Sequence, residues 1–191
     1  AASLEKKAAA EGVRPLETDG SVYLAETLDD AKALGDSAAI EYIEPNYLMR
    51  MTDRVSGPSE SDNGRHLALM QAEEAWKYGI TGTDIDTDYD MGGDGNPMDQ
   101  IIVAVIDSGL DTDHEDIDYS HVLAGRDFVY DGENTRDVMG HGTFVTGQIA
   151  AVRGNETGIA GIADQVYVMP LRVFIAETTE TSIIVNAINY A

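Results

Sequence analysis

Two residues carry the chemistry that this sequence advertises. Asp107 closes the apolar run Ile101–Ile106, and Ser108-Gly109 follows it directly. His141 stands between Gly140 and Gly142 at the head of a second apolar stretch. A carboxylate at the end of a buried strand can accept an imidazole N–H, fix its tautomer and stabilise the imidazolium formed when the ring takes a proton. A histidine at a helix start is kept neutral by the positive end of the helix dipole, as a general base requires. These are two members of a Ser-His-Asp constellation, and no matching serine motif occurs in the chain. Taken singly, each has a plainer reading: a strand-end Asp capping a turn, and a capping or core His. Ser108 does not supply the nucleophile, because it follows the orienting Asp directly and no nucleophile elbow surrounds it. His66, His114 and His121 lack the flanking glycines.

The elements that must position this pair follow from periodicity. Ile101–Ile106 is continuous and apolar, as in a parallel strand buried on both faces. A helix is expected from about His141 to Val152, a strand from about Val166 to Val173, and then a final helix. In that helix Ile184, Ala187, Ile188 and Ala191 fall on one face. Strands alternating with helices make an α/β domain with a parallel sheet. Active sites of open sheets lie at the carboxyl ends of the strands, where Asp107 is placed. The final helix calls for a following strand, so an unfinished domain is expected.

Ahead of this, residues 1 to about 50 read as a small α/β module with a thin core. It has a helix at Leu4–Glu11, strands at Ser21–Ala25 and Ile40–Glu44, and a helix opened by a Thr27/Asp30 capping box and closed at Gly35. Thr52–Arg65 is a linker by composition, and Ala72–Tyr78 is a short helix ended by Gly79. Residues 83–100 form a loop with six aspartates and no basic residue. It is either a solvated acidic insertion or a calcium loop, and its spacing does not match an EF-hand.

Composition narrows the function further. The 35 acidic and 12 basic residues give a net charge of −23, which repels phosphate backbones and argues against nucleic-acid binding. There is no cysteine, so thiol catalysis, thiolate zinc and disulfides are excluded. No apolar run approaches the roughly 20 residues of a membrane span.

The stretch Val103–Asp116 and the stretch Gly140-His-Gly-Thr-Phe-Val-Thr-Gly147 resemble the Asp and His motifs of the subtilisin-like serine proteases. The likeness continues through Gly158–Ala163, Val168–Val173 and Ile184–Ala191. It implies a parallel-sheet subtilisin-like catalytic domain, of which residues 66–191 are the N-terminal part, preceded by a small α+β propeptide. The propeptide is residues 1–50, ending in Ile43–Leu48, and residues 51–65 are a linker holding the maturation site. The resemblance implies a serine endopeptidase with Asp107 and His141 as catalytic residues. Family order is Asp, His, Ser, so the serine belongs to a C-terminal remainder acting as partner. Protein substrates and the chain's own propeptide are the other partners, and a secreted or cell-surface bacterial location goes with them. The alternative is a catalytically inactive pseudoprotease or binding module. The resemblance also implies a structural calcium held by the side chains of Asp116 and Asn155 and main-chain oxygens of Val152, Thr157 and Ile159. Phe144 stands where many members have a second His.

Overall fold

The parallel sheet is present and carries Asp107 at its carboxyl edge. The computed structural model describes residues 13–15, 23–35, 43, 45–50, 65–79, 81–82 and 101–191. The chain folds as two compact units, Met51–Glu177 and Ala1–Arg50 with Thr178–Ala191. Among the described residues, no helix is long and apolar enough to cross a membrane.

In order along the chain the elements are β1 (Arg14–Pro15), β2 (Tyr23–Leu24), α1 (Leu28–Gly35), β3 (Leu48–Arg50), α2 (Arg65–Met70) and α3 (Ala72–Trp76). They continue with β4 (Ile102–Asp107), β5 (Arg126–Asp127), α4 (His141–Ala150), β6 (Tyr167–Arg172), β7 (Thr178–Glu180) and α5 (Thr181–Tyr190).

In the unit 51–177 the sheet order is β4-β6-β5, all parallel. The register runs from Ile102 opposite Tyr167 to Asp107 opposite Arg172. Parallel neighbours need a long crossover, and the chain between β4 and β6 provides it with β5 and α4. The core joins strands to helix: Val105, Ala150, Val166 and Val168 are buried, with Val103, Val145, Ile149 and Ala163 packed against them. The expectation that the β4 run is buried on both faces does not hold. Ile101 and Ile102 are about half exposed, at 54% and 49%, and Val105 alone of the strand is fully buried. Both lie at the amino end of the run, and among the described residues β4 is paired on one side only, with β6.

The α2–α3 segment adds a helix that composition had assigned no structure beyond the linker. Trp76 at its end donates its indole N–H to the Ile162 carbonyl at 2.8 Å and stacks under the Arg153 guanidinium, 4.3 Å from the ring centre. The expected Ala72–Tyr78 helix is present as α3, and Gly79 closes it with an N–H bond to Trp76.

In the other unit, β1 pairs antiparallel with β2, and Val13 and Leu34 are buried with Tyr23 and Ala25 against them. That is the thin core expected of so short a module. The capping box opening α1 forms reciprocally: Asp30 N–H bonds Thr27 Oγ1 at 3.2 Å and Thr27 N–H bonds Asp30 Oδ2 at 3.1 Å. Sequence periodicity ended this module near residue 50. Its unit also takes in 178–191, because β3 pairs antiparallel with β7, Leu48 opposite Glu180 and Arg50 opposite Thr178. The apolar face of α5 is only partly covered, for Ala187 is buried while Ile188 is 58% exposed. The helix expected at 4–11, most of the strand at 40–44, the linker at 51–64 and the acidic loop at 83–100 lie outside the described residues.

Candidate active site

Asp107 is the last residue of β4, and its carbonyl accepts hydrogen bonds from Val173 (2.8 Å) and Phe174 (3.3 Å) as the neighbouring strand ends. Its position is thus set by the sheet itself. His141 is the first residue of α4. The helix comes this close because two glycines remove side chains between it and the Asp107 turn. A Cβ on Gly142 would lie 2.2 Å from the Gly109 carbonyl oxygen, inside any van der Waals contact. Gly109 itself has φ +107° and would place a Cβ 2.1 Å from the Thr135 carbonyl oxygen, so only glycine is tolerated there.

The two expected side chains meet. His141 Nδ1 lies 2.8 Å from Asp107 Oδ1 and 2.9 Å from Oδ2. An ionised carboxylate only accepts hydrogen bonds, so the nitrogen facing it carries a proton and the neutral ring keeps its lone pair on Nε2. Asp107 Oδ1 also accepts the Ser108 N–H at 2.7 Å. Both side chains are mostly covered, His141 at 19% and Asp107 at 13% exposure. The arrangement can take a proton at Nε2 and stabilise the resulting imidazolium through Nδ1.

Ser108 is fully buried and turned away from this pair. Its hydroxyl donates to Asp137 Oδ1 at 2.9 Å and accepts the Gly142 N–H at 2.8 Å, which agrees with its exclusion as a nucleophile.

Asp137 is the residue that sequence reading missed. Besides Ser108 it accepts N–H bonds from Met139, Gly140 and Thr143, each at 2.9 Å, and the Thr143 hydroxyl at 2.7 Å. Burial alone would raise its pKa. The hydrogen bonds from Thr143, Met139 and Gly140 outweigh burial and hold the carboxyl below its usual range. The signal was available: an Asp a few residues before a helix start bonds the following backbone N–H groups as a cap.

The residues expected to hold calcium gather in one place. Asp116 is buried, at 2% exposure. Its Oδ1 accepts from Asn155 Nδ2 and its Oδ2 from the Ile159 N–H, both at 2.8 Å, while its carbonyl accepts the Val152 N–H at 3.1 Å. The Thr157 N–H bonds Asn155 Oδ1 at 3.0 Å, which fixes the orientation of that amide. The groups that meet the Asp116 carboxylate are neutral N–H donors, one on each oxygen, so the expected oxygen ligands suit a hard cation by residue type alone. The one base of the loop, Arg153, is directed elsewhere, 2.6 Å from Asp164 and over Trp76. Among the described residues, no group of three or more acidic, His or Cys side chains forms a metal cluster.

A hollow of about 390 Å³ opens beside this loop, lined by residues that include Asp111, His114, Asp116, Phe144 and Ile159. Neither Asp107 nor His141 lines it. Phe144 lines this hollow.

Comparison with known proteins agrees with this geometry. Residues 98–191 match the Subtilase family. The thermophilic serine proteinase of Bacillus sp. (strain AK1) is 34% identical over 163 residues, covering 84% of this chain and 36% of that protein. The major intracellular serine protease of Bacillus subtilis (strain 168) is 29% identical, covering 82% of this chain and 43% of that protein. The chain therefore spans about two fifths or less of the length of these relatives. The epidermin leader peptide processing serine protease of Staphylococcus aureus, as its S393A mutant, superposes with a TM-score of 0.68 at 18% identity, covering 100% of this chain and 45% of that one. That likeness shows a subtilisin-like fold. With an Asp at the end of a parallel strand, a glycine-flanked His on the crossover helix, and the family match over both, the chain belongs to the subtilase family.

Proposed function

We propose that this chain is the propeptide and the Asp- and His-bearing part of a serine endopeptidase acting on protein substrates. The observation that carries the reading is the short contact between His141 Nδ1 and both Asp107 oxygens. A serine from a segment outside this sequence attacks the scissile carbonyl, His141 Nε2 takes its proton, and the same nitrogen later protonates the leaving amine. Asp107 holds the ring and stabilises its charged form. Serine-directed fluorophosphonate labelling of the protein from its native source, read by intact mass, tests this. A labelled species whose labelling is lost in His141→Ala supports the reading. A serine position occupied by another residue, with no labelling, overturns it in favour of a pseudoprotease.

Residues 1–50 serve as the propeptide in this reading. Its support is the docking of Asn46–Arg50 on residues 178–182, inside the stretch that matches the family. A secreted or cell-surface location goes with this assignment, and cell fractionation tests it.

A structural calcium at Asp116 and Asn155, with carbonyls of Val152, Thr157 and Ile159, belongs to the same proposal. The ion would neutralise the buried Asp116 charge and pin the loop after α4. Thermal unfolding with and without calcium tests it: the midpoint rises with calcium in the native chain and loses that dependence in Asp116→Ala. A calcium response that survives Asp116→Ala removes the site.

A further inference from the structure

We infer that Asp137 is a positioning residue that locks His141 onto Asp107. The inference rests on the endopeptidase reading for its consequence, but not for its geometry. Asp107 and His141 are on different elements, a strand end and a helix start. Their backbones must be joined to within a few tenths of an ångström if the side chains are to stay in contact, and a misplacement of about 1 Å can cost about a hundredfold in rate. Asp137 provides the joint. One carboxylate oxygen takes the hydroxyl of Ser108, the neighbour of Asp107, together with the Met139 and Gly140 N–H groups. The other takes the Thr143 N–H and hydroxyl in the first turn of the His141 helix. The main chain reinforces it: Leu110 N–H bonds the Thr135 carbonyl and Asp137 N–H bonds the Leu110 carbonyl, both at 2.9 Å. The Thr143 hydroxyl in turn accepts the Asp111 N–H at 2.8 Å. Asp137 thus bonds to groups flanking both catalytic residues, and no hydrogen bond of its own reaches the imidazole or the Asp107 carboxylate. It acts through them, by holding the helix start against the strand end.

The test follows the His141 Nδ1 proton by NMR in the full chain, comparing the native sequence with Asp137→Asn and Ser108→Ala. Ser108→Ala changes no charge, so it separates positioning from a change in local field. Both variants should exchange the Nδ1 proton at least about tenfold faster. When the same substitutions are placed in the serine-bearing protein, kcat should fall about 10- to 100-fold with KM nearly unchanged. A folded Asp137→Asn chain whose Nδ1 proton matches the native one overturns the inference. If Asp137→Asn does not fold, Ser108→Ala decides alone, and an unmoved proton there overturns it equally. The NMR readout needs no serine. Absence of fluorophosphonate labelling defeats the endopeptidase reading alone, and an unmoved Nδ1 proton in a labelling protein defeats the positioning role alone.

Discussion

Arg172 gives its guanidinium to Asp127 at 2.5 Å while standing opposite Asp107 in the sheet register. Both partners are almost fully buried, and Arg172 also donates to the Arg136 carbonyl at 3.0 Å. Asp127 completes its shell with the Val129 N–H at 2.9 Å. The pair ties the ends of β5 and β6 together at the edge of the sheet that carries Asp107.

Removing one member of a buried, hydrogen-bonded pair strands the other, at a cost of about 3–5 kcal/mol. Asp127→Ala should therefore destabilise the unit 51–177 by about that amount. Urea unfolding followed by near-ultraviolet circular dichroism measures it. A loss below about 1 kcal/mol would show that water satisfies Arg172 in place of Asp127.

Stability should depend on pH through Asp127 and Asp137. Burial opposes ionisation of both, but hydrogen bonds and, for Asp127, the Arg172 charge hold each carboxyl below its ordinary value. A depressed native pKa contributes stability that is present above the unfolded value of about 3.9 and lost as pH falls through the native one. The expected profile is flat around pH 5–6 and falls below about pH 4. Asp118 is lowered too, chiefly by its bonds from Ser120, but it is exposed and adds little. Unfolding midpoints across pH 2–6 check the profile, and Asp127→Asn should flatten it.

The close approach of α4 to the Asp107 turn yields a sharper prediction. In Gly142→Ala the new methyl meets the Gly109 backbone on atoms that no rotamer change can move. Either the helix start or the 108–110 turn must shift, separating His141 from Asp107. Loss of the His141 Nδ1 proton signal, with a fall in stability of about 1–3 kcal/mol, is expected. Gly140→Ala is the contrast: its Cβ would meet nothing within 4 Å, though φ +81° still strains it.

These cases show what was legible in the sequence and what was not. Asp107 and His141 stood out because local residues alone, an apolar run and flanking glycines, specify their setting. The parallel sheet followed from the order of apolar segments. The capping of the helix start by Asp137 was open to reading, but its bond to Ser108 was not, because those residues meet only after the chain has folded. The strands β1, β3 and β7 escaped because two or three residues carry no period, and their pairing is decided by partners distant in sequence. The exposure of Ile101 and Ile102 escaped because hydrophobicity reports what could be buried and not what packs over it.

Helix α5 lacks a cap of its own and receives one from the first module. Glu180, at its N-cap position, makes no side-chain capping bond. Instead Asn46 Oδ1 accepts the Ser182 N–H at 2.8 Å, and the Tyr47 carbonyl accepts the Thr181 N–H at 2.8 Å and its hydroxyl at 2.9 Å. The Asn46 amide also donates to Glu180 and to the Ser182 hydroxyl, at 2.8 and 2.9 Å. Loss of a side-chain cap costs about 1 kcal/mol, a factor of about five in an opening equilibrium. Asn46→Ala should therefore speed hydrogen exchange at Ser182 about fivefold and leave Val105, in the parallel sheet, unchanged. Asn46→Asp should retain much of the protection, since a carboxylate caps a helix N-terminus well but cannot donate to Glu180. Equal acceleration in Asn46→Ala and Asn46→Asp would place the stabilisation in the Glu180 contact rather than in the cap.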